Sequence, residues 1–160
     1  DLEKARNIAE KLNQLNIERR MLDKTTAEEA VSQVKKQKNE KAKTTVVYNP
    51  EWHKGVIGIA ASKIIDTYYR PTIVFASTGD VLVGSARSVR GFNIHDAIEK
   101  CRDFVIEFGG HKYAAGLKEP SASENLRFLI RLFSSLAGVR LEDRIAITAG
   151  LGSFSTNANT

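Results

Sequence analysis

The chain has 160 residues and a net charge of +5, with 42% hydrophobic and 27% charged residues. That is enough for one domain with a buried core, in the composition of an ordinary globular protein. No apolar run reaches the roughly 18–20 residues of a membrane-spanning helix, and the excess of Lys and Arg is compatible with an anionic partner such as nucleic acid without demanding one.

In chain order, the sequence begins at Asp1 rather than Met, with a charged first stretch that is no secretory signal. This start is expected of a piece excised from a longer protein. Residues 1–38 read as helix: Leu2, Ala5, Ile8, Ala9, Leu12 and Leu15 recur at helical spacing among charges. A second helical stretch is expected over about Thr26–Lys38, capped by Thr25-Thr26 with Glu28-Glu29 in its first turn. The segment packs on a domain or connects to a neighbour. Gln37–Lys43 reads as a polar loop.

Thr44–Tyr48 is a β-branched strand, broken by Asn49-Pro50. Val56–Tyr69 reads as helix and Pro71–Ala76 as a second strand, so the three form a βαβ unit with parallel strands. Ser77–Asp80 is a turn, and Val81–Ser88 a third strand closing a hairpin. Asn93 caps a helix with Asp96 in its first turn, and its apolar stripe runs Ile94, Ala97, Ile98, Cys101, Val105, Phe108. Gly109-Gly110 is expected to end that helix. Cys101, the single cysteine, fits a reducing compartment and reads as buried filler. Ala114–Leu117 is a short strand or loop. Ser121-x-x-Glu124 matches a capping box for a helix to about Leu136. The Gly/Ser/Thr/Asn-rich end, 150–160, reads as disordered.

No catalytic centre is legible. His53, His95 and His111 are scattered, no His/Cys/Asp/Glu cluster has metal-ligand spacing, and neither a Walker loop nor a nucleophile elbow is present. Three stretches could bind an anion: Trp52–Gly58 before a helix, Gly84–Ser88 at a strand end, and Gly109-Gly-His111. Glycines let backbone N–H groups approach a phosphate, Ser donates a hydroxyl, Arg a planar fork and His a ring N–H. Each has a plainer reading. Gly-Gly after a helix is a cap, Trp52-His53 packs a helix start, His95 is surface, and Ser85 and Arg87 share one face of a strand that solvent could cover, with Ser88 on the other.

In this order, Trp52-His-Lys-Gly-Val-Ile-Gly58, Arg70-Pro-Thr-Ile-Val74, Gly84-Ser-Ala-Arg-Ser88, Gly91-Phe-Asn-Ile-His-Asp-Ala97 and Phe108-Gly-Gly-His-Lys-Tyr-Ala-Ala-Gly116 resemble the RecJ family of bacterial exonucleases. The likeness is to its DHHA1 domain and the long helix before it, over about Asp1–Leu117. It implies an α/β fold, a mixed sheet flanked by helices, with a connecting segment at 1–43, the DHHA1-like domain at 44–137 and an unplaced tail at 138–160. It also implies 5′-to-3′ hydrolysis of single-stranded DNA in repair and recombination, in the cytoplasm, with Mn²⁺ or Mg²⁺ held by a DHH domain that this chain lacks. The partners implied are single-stranded DNA and that DHH domain, with no membrane. By motif match, Arg87 with Ser85 or Ser88 would hold DNA phosphates. Gly109, Gly110 and His111 would line the cleft, His111 near the scissile phosphate, with His53 a weaker candidate. No metal ligand is assigned to this chain, which alone is expected to be inactive. Two other readings stay open: a DHH-type phosphodiesterase for oligonucleotides or cyclic dinucleotides, and a non-catalytic binding module.

Overall fold

A computed structural model describes residues 1–37, 42–121 and 123–136. The expected tail, 138–160, and part of the expected 37–43 loop lie outside them. The described elements are α1 (Leu2–Lys36), β1 (Thr45–Tyr48), α2 (Ile57–Tyr68), β2 (Thr72–Thr78), β3 (Val81–Arg87), α3 (Ile94–Glu99), β4 (Glu107–His111), β5 (Ala114–Pro120) and α4 (Ser123–Leu136). None of the described helices is long and apolar enough to cross a membrane.

The strands form one mixed sheet in the order β1-β2-β3-β5-β4. β1 and β2 are parallel, joined through α2 as the βαβ reading requires, and all other pairs are antiparallel. Gly79 takes a positive φ of 59° in the two-residue β2–β3 turn, a conformation glycine adopts without the Cβ penalty.

Each face of the sheet carries its own core. On one, Val47, Val74 and Ala76 pack against Ala30 and Val34 of α1 and Ile57, Ala60, Ala61 and Ile64 of α2. On the other, Ile73, Phe75, Leu82, Ala115 and Leu117 pack against α3 and α4 through Ile94, Ile98, Leu126, Ile130 and Phe133. Two tethers fix the first layer. The buried Trp52 indole donates to Glu29 Oε2 of α1 at 2.8 Å. Buried Arg70 donates to Thr45 Oγ1 at 2.7 Å and to the Ala42 carbonyl at 2.6 Å, holding the start of β1 beside β2.

The structure corrects two expectations. First, α1 is a single helix from Leu2 to Lys36, and Thr25-Thr26 caps nothing. No Gly or Pro interrupts it, propagation costs less than a new nucleus, and Thr26 is buried within it. Only Thr26, Ala27, Ala30 and Val34 are buried, whereas Leu2, Ile8, Leu12 and Leu15 are exposed. Second, the helix expected to reach Phe108 ends at Glu99. A 3₁₀ turn over Arg102–Phe104 follows, then β4. Phe108 packs on the same apolar cluster as α3, so its apolar spacing serves a strand instead of a further helical turn. Gly109-Gly110 therefore lies within an edge strand and caps no helix. α4 is described from Ser123, and residue 122, where a helix capped by Ser121 would begin, lies outside the described residues.

Glu119 of β5 is fully buried opposite Leu82, and neither carboxylate oxygen has a hydrogen-bond partner. Burial pushes its carboxyl up to about 8 from an ordinary value of 4.5. The group is neutral in folded and unfolded chains alike below the ordinary value. As pH rises towards about 8 the unfolded chain ionises while the folded one resists, so stability is lost over that interval. Between about pH 5 and about pH 9 the denaturation midpoint of the wild type should therefore fall more steeply than that of Glu119→Gln. Parallel pH profiles would contradict this account of Glu119.

Candidate nucleic-acid interface

Pleating puts alternate residues on opposite sides of a strand, and the register then sets which of them become neighbours. In β3–β5–β4, Arg87 is opposite Ala114, itself opposite His111. The next row on the same face is Ser85, Gly116 and Gly109, and the next is Val83, Lys118 and Glu107. Rows follow one another at about 7 Å, and the outer strands lie about 10 Å apart. α2 packs on β2 and β3, while Gly116, Lys118, Glu107, Gly109 and His111 are exposed. The result is a step. The β5–β4 sheet is its floor, α2 its wall, and Ser85 and Arg87 lie at their junction.

Arg87 Nη1 donates to Ser85 Oγ at 3.1 Å and to the Ala86 carbonyl at 2.8 Å. A Cβ on Gly58, the second residue of α2, would stand 2.7 Å from Arg87 Nη2 and 3.1 Å from Ser85 Oγ. The missing side chain thus lets the guanidinium lie against the first turn of the helix. Val56, the N-cap residue of α2, makes no side-chain capping bond, and the first turn holds no acidic residue. A helix start carries unsatisfied N–H groups and partial positive charge. A cation there is repelled. Burial alone also lowers the Arg87 pKa, and none of the ion pairs among the described residues includes it. An anion on Arg87, Ser85 and the helix start would relieve both penalties.

The other candidates fall into two groups. His111, on the floor, accepts from Tyr113 N–H through Nδ1 at 3.3 Å. His53, in the loop before α2, likewise accepts from Gly55 N–H through Nδ1 at 3.0 Å. Each neutral ring therefore keeps its proton on Nε2 as an outward donor. No described hydrogen bond joins His53 to Arg87 or Ser85. Ser88 turns away: its hydroxyl donates to the Phe92 carbonyl at 2.6 Å and closes the turn before α3. Gly110 has φ +147°, and a Cβ there would stand 2.3 Å from the Ala114 carbonyl oxygen, so the hairpin itself requires glycine. Gly109 points its missing side chain into open space.

Sequence reasoning placed Gly58 at the end of an anion-binding stretch but missed its contact with Arg87, and it missed Gly116. The signal for Gly58 was its place in the first turn of a helix after Trp-His-Lys-Gly, but its contact with Arg87 depends on helix-on-sheet packing. Gly116 became visible only through its register with Gly109. Among the described residues no group of three or more His, Cys, Asp or Glu side chains gathers to hold a metal ion. Those residues do not fit a metal centre.

Gly58→Ala should leave the denaturation midpoint level or raised, because Ala favours a helix by about 1 kcal/mol over Gly and the atoms in its way end a flexible side chain. It should also displace the guanidinium from Ser85. A stability loss above about 1 kcal/mol would show instead that Arg87 is rigidly held.

The DHHA1 domain family matches residues 39–138. This carries the likeness past Leu117 and through α4. RecJ of Bacillus subtilis, a single-stranded-DNA-specific exonuclease, is 40% identical over 115 residues, covering 71% of this chain and 14% of the relative. The Escherichia coli protein of the same name is 39% identical over 123 residues, covering 71% of this chain and 21% of the relative. The crystal structure of Thermus thermophilus RecJ in complex with Mg²⁺ superposes with a TM-score of 0.67 at 28% identity, over 86% of this chain and 21% of that one. A manganese-bound exonuclease RecJ gives 0.68 at 26% identity, over 83% and 32%. The chain thus spans 14 to 21% of the length of these curated relatives.

Proposed function

The chain belongs to the DHHA1 family in its RecJ branch, and from that membership we propose that it is the backbone-gripping half of a 5′-to-3′ single-stranded-DNA exonuclease of repair and recombination. The observation that carries this reading is the Arg87 guanidinium. It is part-buried, outside every described ion pair and laid against an uncapped helix start. A strand phosphate would accept from Arg87 and Ser85, with N–H groups of the first turn of α2 completing the cradle. His111 Nε2–H reaches out from the same row as Arg87, across β5. His53 Nε2–H is a second donor near the α2 wall. In this reading Ser88 supports the turn, and Gly110 shapes the hairpin that presents His111.

The cleavage chemistry belongs to a DHH domain of the parent protein, with Mn²⁺ or Mg²⁺ bound there. This chain's residues bind and orient the strand and move no proton at the scissile bond. The exposed apolar stripe of α1 supports such a partner domain. Leu2, Ile8, Leu12 and Leu15 continue the face that Ala27, Ala30 and Val34 bury against the sheet layer. Residues 1–43 would then connect the halves, with 44–137 as the gripping domain. The lone buried Cys101 suits a reducing cytoplasmic setting.

Binding of a single-stranded oligonucleotide, followed by fluorescence anisotropy across a salt series, tests the grip. Arg87→Ala should weaken binding by about 1.5–3 kcal/mol, the range for a hydrogen bond to a charged group. It should also flatten the salt dependence by about 0.7 in log–log slope, the share of one phosphate contact. Unchanged affinity and slope would remove Arg87 from the phosphate role. The purified chain should not degrade single-stranded DNA with Mn²⁺ present, and robust degradation would overturn the division of labour between the domains.

A further inference from the structure

The glycines of this sheet are glycine for different reasons. Gly84 is packed shut, since a Cβ would stand 2.5 Å from Phe75 Cε1. Gly110 is held at positive φ against the Ala114 carbonyl. Gly109 and Gly116 have neither excuse. They face each other across the β4–β5 ladder, neither has a positive φ, and nothing among the described residues lies within 4 Å of where either Cβ would be. Glycine inside a strand weakens it by about 0.5–1 kcal/mol relative to Ala and leaves nothing to pack. Folding alone favours a side chain at both positions.

What they share is location. Both lie in the row of Ser85, next to the row of Arg87 and His111. They floor a shallow trough of about 430 Å³ that Val83, Lys118 and Glu107 of the neighbouring row also line, with Lys118 and Glu107 paired, while Ser85 and Arg87 stand beside it, outside its lining. Resting on the reading above, we propose that Gly109 and Gly116 set the clearance for the bound strand. The nucleotide next to the phosphate at Arg87 lies flat on their bare peptide planes. The ligand class is an unpaired nucleotide within a single strand, touching backbone where every other residue type would hold it off. A side chain at either position lifts the nucleotide from the floor and draws its phosphate out of reach of Ser85, in the same row, and of Arg87, one row away. Gly116 is thereby a specificity-determining position that makes no hydrogen bond through a side chain.

The test titrates the ¹⁵N-labelled chain with a 5′-phosphorylated oligothymidylate and follows backbone amides. It is repeated with Gly116→Ala, Gly116→Val and Arg87→Ala, each also taken through denaturation. Amides of Gly109 and Gly116 should shift together with those of Ser85 and Arg87. Gly116→Val should be at least as stable as the wild type yet bind at least tenfold more weakly, with Gly116→Ala between. Shifts at Ser85 and Arg87 that leave Gly109 and Gly116 unmoved overturn the clearance role and spare the phosphate site. So does Gly116→Val binding within twofold of the wild type while Arg87→Ala binds weakly. If Gly116→Val fails to fold, Gly116→Ala and the wild-type amide map decide the matter. No shift anywhere in the wild type overturns both this inference and the reading it rests on.

Discussion

The antiparallel register of β5 between β3 and β4 is the constraint on which this molecule's candidate site depends. It places Arg87, Ala114 and His111 in one row and Ser85, Gly116 and Gly109 in the next. A slip of one residue in any of the three strands would send that strand's members of both rows to the other face. That face is closed by α3 and α4, so the slip would also drive Arg87 or Lys118 into an apolar core. The register is held by this conflict as much as by hydrogen bonds. Ala115 and Leu117 must go inward for the core to close, and Gly116 must then go outward. The packing that stabilises the fold and the exposure of the candidate site are two consequences of one alternation.

On that frame, electrostatics separates a site from a surface. Surface arginines cost nothing to solvate and imply nothing. Arg87 differs because α2 crowds it: Gly58 admits the guanidinium to a helix start where the field is positive. Ser85 and the Ala86 carbonyl satisfy part of the fork but supply no charge. Contrast Arg102, which pairs with Glu99 at 2.8 Å in the open and so neutralises itself. Arg70 also differs. It is buried, bonded to Thr45 and Ala42, and spent on joining β1 to β2. These three arginines carry the same charge, yet only Arg87 is arranged as though a negative group belonged beside it.

Much of the fold was legible in the sequence, for physical reasons. β-branched runs and a Pro break gave β1 and β2, the helical period between them gave α2, and their spacing forced a parallel pair. The hairpin followed from its turn residues. What misled was the segment from Val105 to Gly110. Val105 and Phe108 satisfy a helical period with Ile94 and Cys101, and a following Gly-Gly is the usual helix stop. Only pairing with β5, a contact outside any local window, makes that segment a strand. The same limit governed the site. Ser85, Arg87 and His111 could be named from residue type and motif, because their chemistry is written in their side chains. Gly58 and Gly116 matter to the candidate site by having none, and their place in it is visible only once the neighbouring elements are packed. Ser88 shows the converse. Its hydroxyl looked available in sequence, and local turn geometry uses it for the Phe92 carbonyl.

The most direct measurement of the central claim is a crystal structure of this chain, or of a parent protein containing it, with single-stranded DNA bound. The account predicts a backbone phosphate above Gly58, within hydrogen-bond reach of the Arg87 guanidinium and Ser85 Oγ. A strand bound elsewhere, with Arg87 still resting on Ser85 and no anion at the start of α2, would contradict it.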